Sequence, residues 1–241
     1  MILSNNKILI TGGATGLGLG LAKRFMEEDN TVIICGRRKV ALDAAKARYP
    51  SLIIRQCDLS VKGKREELFE WILDQHGDLN VLVNNAGIQN WMSVTNEEFY
   101  VKAREEITIN VAAPLHLTSL LLQLDSLDTI MNVTSGLSFA PLINAPVYCA
   151  SKAFFHSFTL SLREQLKARN IDVIEIIPPA LKTDLGGVGL HDYAPQVSDF
   201  VEAIFEQLKE GKIELTYGFS ENMVKAAQGL HQAFKGMNRI S

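Results

Sequence analysis

The sequence predicts an α/β fold in a single domain over residues 1–241: a doubly wound parallel sheet of about seven strands with helices on both faces. Three observations predict it. Short apolar, β-rich runs alternate with helical patterns, as in βαβ units whose parallel sheet is covered on both sides. The first run ends in a glycine-rich turn that opens a helix. The 241 residues, 47% of them hydrophobic, can bury one large core without disulfides or metal.

In chain order, Lys7-Ile8-Leu9-Ile10 is a buried strand running into Thr11-Gly12-Gly13. Residues 16–29 carry helical spacing at Leu17, Leu21, Ala22 and Phe25. A second strand covers 31–35, and the helix over 37–49 stops at Pro50. A third strand, 52–57, ends at Asp58, and residues 64–75 turn Leu68, Trp71 and Ile72 to one face of a helix. The fourth strand, 80–83, meets Asn84-Asn85-Ala86-Gly87. A long helical stretch over 96–124 contains Pro114, where a bend is expected. A fifth strand then precedes Ser135, and a helix carries Tyr148 and runs to about 168. The sixth strand, 172–177, ends at Pro178-Pro179, and a helix over 198–209 and a strand over 213–217 follow. Residues 220–241 read as a partly helical tail with a mobile end.

Composition excludes several function classes. A net charge of −3 gives no electrostatic case for nucleic acid or an anionic membrane. No run of eighteen apolar residues appears, so no membrane span is expected, and the first residues lack an export signal. Cys35, Cys57 and Cys149 are widely spaced beside apolar segments, as reduced thiols of a cytoplasmic protein would be. His76, His116, His156, His191 and His231 show no metal-ligand spacing, so no metal is expected.

The chemistry lies in two places. Gly12, Gly16 and Gly18, with Thr15 and Leu17 between them, join the first strand to the first helix. Glycines there let backbone approach a pyrophosphate, and the helix start offers free N–H groups. The spacing is G-xxx-G-x-G, which differs from the commonest dinucleotide fingerprint, but its strand–turn–helix context marks a Rossmann-type site. The tip of the second strand reads Cys35-Gly36-Arg37-Arg38-Lys39, with no acid to hold ribose hydroxyls. Arg37 can pair with a 2′-phosphate, which favours NADP(H) over NAD(H); Arg38 and Lys39 also fit a solvated helix start. Asp58 fits either an adenine contact or, with Ser60, a helix cap. The second place is Tyr148 and Lys152, one helical turn apart, with Ser135 at a strand end before them. An ammonium beside a phenol favours the phenolate and lowers a pKa of about 10.

The ordered set Thr11-Gly12-xxx-Gly16-x-Gly18, Asp58, Asn84-Asn85-Ala86-Gly87, Asn110, Ser135 and Tyr148-xxx-Lys152 resembles the short-chain dehydrogenase/reductase family over roughly residues 7–217. Val133-Thr134-Ser135-Gly136-Leu137 and Pro146-Val147-Tyr148-Cys149-Ala150 look like its DltE-type bacterial oxidoreductases. The resemblance implies a catalytic set of Asn110, Ser135, Tyr148 and Lys152. Asn110 would shape its helix and hold a water, Ser135 would polarise a carbonyl, and Tyr148 would pass the proton. Lys152 would depress the tyrosine pKa and hold the nicotinamide ribose. Asn85, Ala86 and Gly87 would pack near adenosine and ribose, and Thr183 near the carboxamide or pyrophosphate. The family usually has Pro-Gly after the sixth strand; here Pro178-Pro179-Ala180 stands under the nicotinamide position, and the loop is expected to run differently.

At the substrate end, residues 184–198 occupy the family's lid position, and Gln89, Trp91, Leu137 and His191 are candidate substrate contacts. The expected partner is a small carbonyl or alcohol. A 3-oxoacyl thioester reductase and a non-catalytic NADP(H)-sensing regulator are the alternative functions. Phe154, Phe155, Phe158 and Leu162 give the Tyr148 helix more apolar surface than one buried face needs, so a homo-oligomer, dimer or tetramer, is expected.

Overall fold

Seven parallel strands form one sheet in the order β3-β2-β1-β4-β5-β6-β7 in the computed structural model, which describes residues 2–229. The strands are β1 Lys7–Thr11, β2 Thr31–Gly36, β3 Ile53–Gln56, β4 Val81–Asn84, β5 Thr129–Val133, β6 Asp172–Ile177 and β7 Glu214–Thr216. The helices are α1 Gly16–Glu27, α2 Lys39–Arg48, α3 Lys62–Gln75, α4 Phe99–Ile107, α5 Ala113–Leu121, α6 Pro146–Leu166, α7 Val197–Lys209 and α8 Phe219–Ala226.

Alternation along each strand divides the core. Ile8, Ile10, Val81, Val83, Met131, Ile174 and Ile176 face α1, α2 and α7 through Leu21, Phe25, Leu42, Phe200 and Phe205. Leu9, Leu82, Ile130 and Val173 face α3, α5 and α6 through Leu68, Ile72, Leu117, Leu121 and Leu162. The chain starts at β1, builds outward to β3, then crosses back to β4 beside β1. That reversal leaves a crevice past the carboxyl ends of β1 and β4, where open α/β sheets bind ligands.

The long helix expected over 96–124 is two helices joined by a π-helical turn, Thr108–Ala112. Pro114 has no N–H to offer the carbonyl four residues back, which is that of Asn110. The wider turn accommodates the loss, with Ala113 N–H reaching the Thr108 carbonyl. The tail begins as α8, whose Phe219 packs over Gly136; residues 230–241 lie outside the described residues.

Candidate active site at the sheet switch point

At the crevice the β1 and β4 loops are laced together. The Asn85 side-chain amide donates to the carbonyls of Thr11, at 2.8 Å, and Gly12, at 3.2 Å. Thr11 Oγ1 accepts from the backbone N–H groups of Asn85 and Ala86, both at 3.0 Å. The lacing leaves no room for side chains. A Cβ on Gly12, whose φ is +63°, would lie 2.9 Å from Ala86 Cα, and one on Gly18 would lie 2.4 Å from the Gly12 carbonyl oxygen. Thr15 precedes α1 without capping it, and the first turn carries no acid, so its N–H groups remain available to an anion. Thr183 packs against Gly16 from the far side of the crevice.

At the β2 tip the two arginines part. Arg38 Nη2 reaches Thr15 Oγ1 at 3.5 Å, over the glycine loop. The Arg37 guanidinium instead acts on Asp58, with its carbonyl held by Gln56 Nε2 at 3.0 Å. Arg38, which the sequence left as a solvated alternative, is thus the base that reaches the glycine loop. Asp58 Oδ1 accepts from Ser60 Oγ at 2.7 Å and Ser60 N at 3.0 Å, the turn-capping role. The Ser60 hydroxyl, with help from Arg37, holds its pKa below the usual carboxylate range.

Ser135, Tyr148, Lys152 and Asn110 are all buried, and Lys152 and Asn110 meet at Gly87. Leu137 N–H donates to Ser135 Oγ at 3.1 Å, so the Ser135 proton is directed elsewhere. Lys152 Nζ donates to the Val133 carbonyl at 2.8 Å and lies 5.8 Å from the centre of the Tyr148 ring. A Cβ on Gly87 would stand 3.6 Å from Lys152 Nζ and 3.4 Å from Asn110 Oδ1. Asn110 clamps the Ile88 backbone, accepting from its N–H at 2.9 Å and donating to its carbonyl at 2.8 Å, with a further bond to Ser151 Oγ at 3.1 Å. Its side chain therefore shapes the site.

The electrostatics correct one expectation. The Tyr148 phenol is pushed up, not down: burial dominates, while the Ser135 hydrogen bond pulls the other way. Burial likewise lowers Lys152 to about 8. The protein's own groups keep Tyr148 protonated at neutral pH. Burial also raises all three thiols, Cys57 to about 11, so none is primed as a nucleophile.

Two carboxylates near the site were not picked out from the sequence. Glu175, fully buried on β6, accepts from Thr134 Oγ1 at 2.6 Å and pairs with His156 Nδ1 at 2.9 Å, bracing the strand end before Ser135. Burial opposes the charged His156, yet the bond and charge of Glu175 hold its pKa above the usual value. Glu106, fully buried on α4, accepts from the Asn90 backbone N–H. A lone acid inside the apolar run Val173-Ile174-Glu175-Ile176-Ile177, and an acid one turn before Asn110, were the available signals.

The substrate-side residues separate into two groups. Leu137 packs with Ala145, Tyr148, Cys149 and Leu185. Gln89 is buried near Gly186, and Trp91 Nε1 donates to the Gly186 carbonyl at 3.1 Å, tying their loop to the segment 184–198. His191 stays within that segment, its ring edge-on to Tyr193. After β6, Pro178 accepts from Gly136 N–H at 3.0 Å, and positive φ occurs at Gly186, Gly187 and Gly189, not at Ala180.

A short chain dehydrogenase family model matches residues 6–193, and the chain belongs to that family of oxidoreductases. It is 42% identical to the uncharacterized oxidoreductase DltE of Bacillus subtilis, over 99% of this chain and 98% of that protein. It is 30% identical to the NADP-dependent 3-hydroxy acid dehydrogenase YdfG of Salmonella typhi, over 71% of each. A Burkholderia cenocepacia short chain dehydrogenase solved in complex with NADP superposes with a TM-score of 0.81 at 23% identity, over 100% of this chain and 99% of that one. Among the described residues no helix is long and apolar enough to cross a membrane.

Proposed function

We propose that this chain is an NADP(H)-dependent oxidoreductase acting on a carbonyl/alcohol pair, with Tyr148 as general acid and base. One observation carries the reading: Tyr148, near the Ser135 hydroxyl and one turn from Lys152, is buried beside the crevice formed by the glycine loops. The residues present fit the cofactor. The cradle of Gly12, Gly16 and Gly18 that a Cβ would fill, with the open N-terminus of α1 at Thr15, Leu17 and Gly18, suits a pyrophosphate. Arg38, with Arg37 beside it, would take a 2′-phosphate; the NADP named for the Salmonella relative and the Burkholderia complex supports that preference. Asp58 would border the adenine, Asn85 to Gly87 and Lys152 the riboses, and Pro178 and Thr183 the nicotinamide side. When bound, the cofactor supplies the hydride.

The chain's own residues manage the oxygen and its proton. Ser135 accepts from Leu137 N–H, which leaves its O–H to donate to a substrate carbonyl. Tyr148 holds its proton at neutral pH because burial disfavours the phenolate, and gives it up as the substrate oxygen gains charge. Lys152, anchored on Val133, holds a positive charge near the phenol, which stabilises the phenolate left when the proton has gone. In the oxidative direction Tyr148 must first lose its proton, so that direction is favoured at high pH. Tyr148→Phe is expected to keep NADPH binding within about threefold and lose at least about 100-fold in turnover on a carbonyl panel. Unchanged turnover removes Tyr148 as proton donor.

The reading extends to self-association. On α6, Phe155 and Leu162 are buried, but Phe154 is 44% exposed and stacks on Phe158 with ring centres 6.4 Å apart. We infer that α6 pairs with a second copy, which light scattering at micromolar concentration measures.

A further inference from the structure

Glu106 and Asn110 lie one turn apart on the same helical run, and they hold the same loop. Asn110 clamps Ile88 by both its N–H and its carbonyl. Glu106 Oε1 accepts from the N–H of Asn90, two residues on. Between and beyond these clamps stand Gln89 and Trp91. Trp91 carries the hold onward to the lid through Gly186, and Met92 N–H ties the loop to the Asn144 carbonyl at 2.9 Å. Glu106 is fully buried, its Oε2 has no hydrogen-bond partner, and the nearby Asn90 Nδ2 is also unpartnered. A buried carboxylate there has no packing advantage over an apolar residue.

We propose that Glu106 is a positioning residue for the substrate wall: its carboxylate fixes Asn90, and through Trp91 and Gly186 it fixes the mouth of the site. That this mouth admits substrate rests on the function proposed above; the clamp itself does not. Its charge is responsive. Burial raises Glu106 to about 7, the hydrogen bond from the Asn90 backbone N–H pulls it down, and Glu105 on the same helix pushes it up. Across the packing, the groups facing it on α6 are Tyr148 and Cys149, both raised mainly by burial, to which its charge adds. Above neutrality the carboxylate accepts from Asn90. Below it, the neutral acid's Oε1 is a weaker acceptor than the carboxylate's, and the clamp loosens.

Trp91, 37% exposed, reports this directly once the other tryptophan is removed by Trp71→Phe. In that background acrylamide quenching of Trp91 is expected to rise about twofold between pH 8 and pH 6, on either side of the Glu106 value of about 7. Glu106→Gln, which cannot ionise, should abolish the step, and Glu106→Ala should show the raised quenching at both pH values. A pH step that persists in Glu106→Gln, or a folded Glu106→Ala that quenches like its parent, overturns the proposal. If the alanine variant does not fold, the glutamine variant decides. The measurement needs neither cofactor nor substrate, so it fails independently of the Tyr148→Phe test.

Discussion

Glu106→Gln removes one ionisable proton from the core and almost no volume. In the folded protein that proton is held to about pH 7, against a usual value of 4.5. The pKa is raised by burial, so the associated stability is fully present below pH 4.5 and is lost as pH rises through 7. The difference of about 2.5 pKa units corresponds to about 3 kcal/mol. Glutamine incurs no such loss. Its stability relative to the parent should therefore grow by about 3 kcal/mol between pH 4.5 and pH 8, or roughly 6–12 °C in Tm for a chain of this size. Thermal and urea unfolding across that range measure it, with exposed Glu105→Gln as the control. Tyr148 stays protonated in both proteins across that range, and the Lys152 shift, caused by burial, is common to both and cancels in the difference. A gap between variant and parent that is the same at both ends of the range refutes the assignment of a raised Glu106 pKa. So does an equal gap for Glu105→Gln.

Other perturbations probe the rest of the site. Gly18→Ala places a methyl 2.4 Å from the Gly12 carbonyl and 2.5 Å from Asn85 Nδ2, so the loop must shift; a loss of roughly 1–3 kcal/mol in unfolding free energy and weakened NADPH binding are expected. Lys152 titrates near 8, so kcat/KM for carbonyl reduction should be level at neutral pH and fall above about 8, whereas a profile that rises through that value contradicts the role of its charge. Arg38→Ala should weaken NADPH at least about tenfold while leaving NADH nearly unchanged, with a smaller effect for Arg37→Ala, as fluorescence titration of each variant shows.

The parallel sheet was legible because its signals are local and repeated. Apolar runs such as Lys7-Ile8-Leu9-Ile10 and Val81-Leu82-Val83 are buried on both faces, and glycine or proline marks their ends. The grouping of the proposed catalytic residues was legible because Tyr148 and Lys152 share a helix face and Ser135 closes a strand, relations that depend only on spacing. What depends on direction in space was not legible. Pro114 announced a break in the helix, but the π-helical turn that sets Asn110 is a response of the whole backbone. Arg37 and Arg38 are chemically equal in sequence, and only the turn after β2 sends one to the glycine loop and the other to Asp58. The sign of the Tyr148 shift needed its burial, which no spacing rule supplies. Glu106 and Glu175 were visible as acids but not as buried ones, since burial comes from α6 packing over them from a distant part of the chain.

The central claim is that the crevice between the β1 and β4 loops holds a phosphorylated nicotinamide dinucleotide against Tyr148. Titration of the purified protein with NADPH and with NADH, followed by nicotinamide fluorescence, tests it most directly. Binding of both with NADPH tighter by at least about tenfold is the predicted result. A preference for NADH, or binding of neither, contradicts it.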